Sequence, residues 1–89
     1  MKILTVCGMG IGTSIILKMN TDKALDELGI YADTEAADIS SARGAAAQAD
    51  LVLTSEELLE QLEGVSTPKE VIHNFTDVEE IKAAILRHA

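Results

Sequence analysis

Ile3-Leu4-Thr5-Val6-Cys7-Gly8-Met9-Gly10-Ile11-Gly12-Thr13-Ser14 is the stretch that decides how this chain folds. Its first four residues are almost wholly apolar and partly β-branched, which suits a strand buried on both faces of a parallel sheet. Glycines follow at once. From Thr13 onward Leu17, Thr21, Ala24, Leu25 and Leu28 recur at three- and four-residue spacing. That spacing predicts a first helix, and Gly29 is the residue helices favour just past their end.

Working outward, Tyr31 to Ala37 alternates loosely and reads as a second strand, near an edge because it carries Asp33 and Glu35. Asp38 or Ser40 can cap a second helix with Ala42, Ala45, Ala46 and Ala49 on one face, although Gly44 costs it about 1 kcal/mol relative to Ala. Leu51-Val52-Leu53 is a third buried strand. Thr54 with Glu57 forms a capping-box pattern opening a helix with Leu58, Leu59 and Leu62, and Gly64 ends it. Pro68 introduces a fourth strand, Glu70 to His73, after which Thr76 and Glu79 repeat the capping box for a last helix with Val78, Ile81 and Ile85 inward. Four β-α units in succession require right-handed crossovers. The expected fold is therefore α/β: a four-stranded, mostly parallel sheet with helices on both faces, Rossmann-like, in one domain over residues 1–89.

Composition excludes several classes of function. Of 89 residues 47% are apolar and 25% charged, with one proline, which describes a compact globule rather than a disordered segment. Seven Lys and Arg against fifteen Asp and Glu give a net charge of −8, which repels a polyanion, so no nucleic-acid partner is expected. Tyr31 and Phe75 are the whole aromatic complement, too few for a platform that stacks bases or sugar rings. One cysteine makes no internal disulfide and has no zinc-site spacing around it, so a reducing, cytoplasmic setting is expected, with neither metal nor cofactor. The apolar run at the start is far shorter than the ~18 residues of a membrane span.

In such a sheet, ligands bind beyond the carboxyl ends of the strands, and the loop after the first strand holds the chemistry. There a nucleophilic side chain, Cys7, is followed by three alternate glycines and two hydroxyls. Gly8, Gly10 and Gly12 permit close backbone approach, so the amides of Gly8, Met9, Gly10, Ile11, Gly12, Thr13 and Ser14 can turn inward as an anion-binding nest, with the helix N-terminus adding partial positive charge. A dianion the size of a phosphoryl group fits it. The donors that would hold phosphate also suit a thiolate nucleophile. The bland alternative makes Cys7 a small buried hydrophobe beside a tight turn.

Three other glycine loops can be compared letter by letter. A Walker loop needs Gly-Lys-Ser/Thr, and Gly12 is followed directly by Thr13. A dinucleotide fingerprint wants its third glycine one position later. A cysteine phosphatase loop places Arg six residues after the nucleophile, where this chain has Thr13. Without that guanidinium clamp or an evident general acid, the site should hold a phosphoryl group more readily than hydrolyse it. A small cysteine-dependent phosphatase or reductase, and a non-enzymatic anion-binding regulatory module, stay open as alternatives.

Cys7-Gly-x-Gly-x-Gly-Thr-Ser14 after a buried strand, followed by Ile16-Leu17-Lys18-Met19, resembles the IIB component of the bacterial phosphoenolpyruvate-dependent sugar phosphotransferase system. Within its lactose/ascorbate group the ascorbate type is most similar and the galactitol type next. The β-α order and length agree over the rest of the chain. The resemblance implies that Cys7 accepts a phosphoryl group from a phosphohistidine on a IIA partner. It further implies that Cys7 holds this cargo as phosphocysteine and passes it to a sugar-type substrate, ascorbate-like or a pentitol or hexitol, bound by a membrane IIC partner at the inner face of the membrane. Met9 and Ile11 would give the loop an apolar rim that suits docking and excludes water.

Other polar residues have plainer explanations. His73, at the expected carboxyl end of the fourth strand, reads as a surface or hydrogen-bonded residue, and His88 as solvated. Thr54 and Ser55 end the third strand on the ligand side, but the capping box accounts for them. Arg43, Lys18 and Lys23 read as helix-surface charges, and in the run Glu56, Glu57, Glu60 and Glu63 two residues complement a helix dipole.

Overall fold

The computed structural model describes residues 1–7 and 11–88, and for residues 11–14 the backbone alone. Its order is β1 (Lys2–Cys7), α1 (Ile11–Leu28), β2 (Asp33–Asp38), α2 (Ile39–Ala46), β3 (Leu51–Thr54), α3 (Glu56–Leu59) with a 3-10 turn (Glu60–Leu62), β4 (Lys69–Val71) and α4 (Val78–Leu86). All strand pairs are parallel and the sheet order is β2-β1-β3-β4. The expected α/β architecture of four parallel strands is what forms.

Alternation along the strands divides the core between the two faces of the sheet. Ile3, Leu51 and Leu53 pack on one face with Leu17, Ala24 and Leu25 of α1 and Ile81, Ala84 and Ile85 of α4. Leu4, Val6 and Val52 pack on the other with Ala42 and Ala46 of α2 and with Leu58 and Leu62. The small alanine face of α2 is used as its spacing suggests, and Ala49, past the helix end, still packs there.

Several boundaries differ from the spacing. Helix α1 begins at Ile11 rather than Thr13, so Gly12, Thr13 and Ser14 belong to its first turn and not to a loop. The first turn needs no intrahelical N–H partners, so a glycine there costs little. Tyr31 is 90% exposed and outside β2, which instead runs on to Asp38. Strand β4 is Lys69–Val71, not Glu70–His73: the Ile72 amide still reaches the Thr54 carbonyl at 2.8 Å, but the His73 amide is taken by Glu80. Asp38 does cap α2, accepting from the Ser41 amide at 3.1 Å.

Both helix N-caps lie one residue beyond the expected ones. Ser55, not Thr54, is the N-cap of α3, and its side chain makes no capping bond. Asp77, not Thr76, caps α4, accepting from the amides of Glu79 and Glu80, while the Thr76 hydroxyl donates to Asn74.

Candidate functional site

Strand β1 lies inside the sheet, bonded to β2 from Lys2↔Asp33 to Cys7↔Asp38 and to β3 from Ile3↔Leu51 to Thr5↔Leu53. The chain leaves β1 toward β2 on one side and leaves β3 toward β4 on the other. The crevice between the carboxyl ends of β1 and β3 is therefore the switch point at which open α/β sheets bind ligands. Cys7 is the last residue of β1, a free thiol only 3% exposed, and by alternation it faces the α1/α4 side with Ile3 and Thr5.

Gly8, Met9 and Gly10, three of the seven residues of the expected cradle, lie outside the described residues, as do the side chains of Ile11, Thr13 and Ser14. The backbone of Ile11–Ser14 opens the 18-residue helix α1 at the same edge as Cys7, with no acidic residue in its first turn to neutralise its dipole. One turn further on, Ile15, Ile16 and Met19 are exposed apolar residues, Met19 by 64%.

Asp38 lies level with Cys7 on β2. Its carboxylate is committed to the start of α2. The Ser40 hydroxyl (2.6 Å) and then the amide and hydroxyl of Ser41 hold its carboxyl below the usual carboxylate range.

On the β3 side the edge is formed by Thr54 and Ser55, whose hydroxyls were assigned to a capping box by spacing. The Thr54 hydroxyl is fully buried and has no hydrogen-bond partner among the described residues. Ser55, Glu56 and Glu57 line a pocket of about 320 Å³ with Ile72 and His73. His73 stands two strands away from Cys7, and its Nδ1 lies 2.9 Å from Glu80, as befits a hydrogen-bonded structural residue. His88, expected to be solvated, is instead 2.6 Å from Glu70, which also takes the Arg87 guanidinium. Arg43 donates to the Gln61 carbonyl at 3.2 Å, and Lys18 pairs with Asp22 at 3.1 Å. Among the described residues no helix is long and apolar enough to cross a membrane.

A small α/β domain whose interior strand ends in a cysteine at the switch point, just before a helix start, is the class that this fold and site define. The family model described as PTS system, Lactose/Cellobiose specific IIB subunit matches residues 2–87, so the chain belongs to that family and is a IIB component of a sugar phosphotransferase system. It is 33% identical over 86 residues to the ascorbate-specific PTS system EIIB component of Mycoplasma pneumoniae, covering 96% of this chain and 90% of that one. A solved lactose-specific IIB domain from Streptococcus pneumoniae shares the fold with a TM-score of 0.66 at 16% identity, covering 99% of this chain and 96% of the other. As a IIB component, the chain works with IIA and IIC components.

Proposed function

We propose that Cys7 is the phosphoryl-carrying nucleophile of this IIB component, with the main chain of Gly8, Met9, Gly10, Ile11, Gly12, Thr13 and Ser14 as the cradle for its cargo. The observation that carries the reading is the position of the thiol, ending the interior strand at the switch point and at the edge where α1 begins. The thiolate attacks the phosphorus of a phosphohistidine on the IIA partner; the N–P bond breaks, an S–P bond forms, and the imidazole regains a proton. In the second half-reaction a hydroxyl of a substrate held by membrane IIC attacks. The S–P bond breaks, an O–P bond forms, and the hydroxyl proton leaves to a base on the acceptor side or to water.

Both half-reactions depend on positioning and charge neutralisation rather than on acid-base machinery, so a ring of amides at a helix start is sufficient equipment. A thiol only 3% exposed is sheltered from water until a partner seats over the edge. The approach surface is the start of α1, where Ile15, Ile16 and Met19 are exposed apolar residues. Because the Mycoplasma relative is described as ascorbate-specific, a sugar acid of that kind is the first substrate to test, with pentitols and hexitols next. The reaction takes place on the cytoplasmic side, against the inner face of IIC.

Intact-mass measurement after mixing with a matched, phosphorylated IIA protein should show one added phosphoryl group, absent in Cys7→Ser. A chain that stays unmodified, or that turns over p-nitrophenyl phosphate as a phosphatase does, contradicts the proposal. Undiminished phosphate binding by Cys7→Ser without any transfer by the parent chain would favour an anion-binding module instead.

A further inference from the structure

Each helix follows a parallel strand and so begins at the carboxyl edge of the sheet, and three of them begin under acids: α2 at Asp38, α3 at Glu56 and Glu57, α4 at Asp77, Glu79 and Glu80. Helix α1, which follows the strand of Cys7, has no acid in its first turn. No lysine or arginine stands on that arc, and every Lys, Arg and His of the chain lies among the described residues. Lys2 pairs with Glu35, Lys18 with Asp22 and Arg87 with Glu70, while Lys82 holds Glu27 at 2.7 Å and touches Glu79 at 3.4 Å. Arg43 and Lys69 are turned to backbone carbonyls, and Lys23 lies past the middle of α1. Glu80 meets His73, so Glu56 and Glu57, both exposed, are left without a cation.

The same two glutamates line the pocket of about 320 Å³ that Ile72 and His73 close from the β4 side. Ser55, also in its wall, is still extended at φ −91° and ψ 160°. Continuing the Thr5↔Leu53 register therefore sets it level with Cys7, one strand spacing or ~4.8 Å away. A cavity walled by two carboxylates that lack a cation, one strand from the thiol, is shaped and charged for a basic side chain from another molecule.

A membrane transporter carries its excess of Lys and Arg on its cytoplasmic loops, whereas the anionic leaflet around it repels a chain of net charge −8. Exposed Ile15, Ile16 and Met19 give the α1 sector of the rim a different, apolar chemistry. We infer that the arc at Glu56 and Glu57 docks on the basic cytoplasmic loops of IIC, with one Lys or Arg of a loop entering the pocket; this rests on the reading of the Cys7 edge as the transfer face. That side chain brings positive charge near the S–P bond as it breaks, which no Lys or Arg of this chain does at the rim.

The test measures co-sedimentation of the full, unphosphorylated chain with anionic lipid vesicles carrying the matched IIC protein, and with the same vesicles lacking it, at low and at high salt. The parent should bind the IIC vesicles at low salt, leave them at high salt and ignore the protein-free ones. Glu56→Gln with Glu57→Gln should bind IIC about tenfold more weakly, the loss of two charge pairs. Glu60→Gln with Glu63→Gln makes the same change of net charge at exposed positions further along the chain, and should stay within about twofold of the parent. Loading from phosphorylated IIA, followed by mass, should also differ by no more than about twofold between the two double variants. Parent binding that is absent, indifferent to salt or equal on protein-free vesicles overturns the inference without recourse to a variant, so a variant that fails to fold does not protect it. Equal losses in the two double variants overturn it as well, since net charge alone would be acting, and so does a loss confined to IIA loading, which would give the arc to the donor. If the parent never gains the phosphoryl adduct, the Cys7 reading falls while docking is still decided by salt and by the double variants.

Discussion

Glu80 closes the turn that follows β4, and Glu80→Gln measures how firmly. Its carboxylate, with a side chain 24% exposed, accepts from the amides of His73 at 2.8 Å and Asn74 at 3.0 Å and lies 2.9 Å from His73 Nδ1. Burial alone would push the carboxyl up, but the two amides, followed by the His73 ring, outweigh it and hold Glu80 below the ordinary glutamate range. Glutamine keeps one acceptor oxygen and turns an N–H donor toward the second amide. One charge-assisted bond is lost and another weakened, which in a partly solvated setting amounts to about 1–2 kcal/mol. The pH dependence gives the sharper reading. A carboxyl held low in the folded state contributes stability that is complete above the range where an unfolded glutamate titrates. That contribution is lost as pH falls through its own lower value. Asp38, Glu70 and Glu27 are also held low, but they are common to both proteins and cancel in the difference. Urea unfolding of parent and variant from neutral to acid pH should therefore show a gap that is widest at neutral pH and closes in acid. A neutral-pH gap below about 0.3 kcal/mol, within the scatter of such differences, or one that persists unchanged into acid would refute the reasoning.

Met19→Glu alters an exposed position on α1, so stability should move by no more than about 0.5 kcal/mol while phosphoryl loading from the IIA partner slows. Equal loading rates in stopped-flow or quench measurements would remove this face of α1 from the approach surface. Leu53→Ala opens a void against Ile3, Leu17 and Ile72 and should cost about 2–5 kcal/mol of the about 4–13 kcal/mol expected for a chain of this length. A loss under about 1 kcal/mol in chemical denaturation would contradict the core described for that face.

The strands buried on both sides were legible because Ile3–Val6 and Leu51–Leu53 are apolar runs with no polar face to spare. Strand β4 was harder to place. It is an edge strand, so Lys69 can sit in it and Ile72 and His73, which read as its continuation, can leave it. The starts of α3 and α4 slipped by one residue because each has two adjacent residues of capping type, Thr54 beside the cap Ser55 and Thr76 beside the cap Asp77, and spacing does not rank neighbours. Cys7 stood out from its letters alone. The His88–Glu70 contact was hidden because the two residues lie 18 positions apart in the chain.

Four strands, each answered by a returning helix, bring the polypeptide back to the side from which it set out. Met1 and Lys2 are fastened at the amino edge, where their carbonyls accept from Asp33 and Asp50. Helix α4 runs back in the same direction, with Lys82 already 2.7 Å from Glu27 near the far end of α1. Met1 and the last described turn of α4 thus lie opposite the thiol, and a fluorophore or an affinity tag joined at the amino end would trail behind the molecule, leaving the working rim clear.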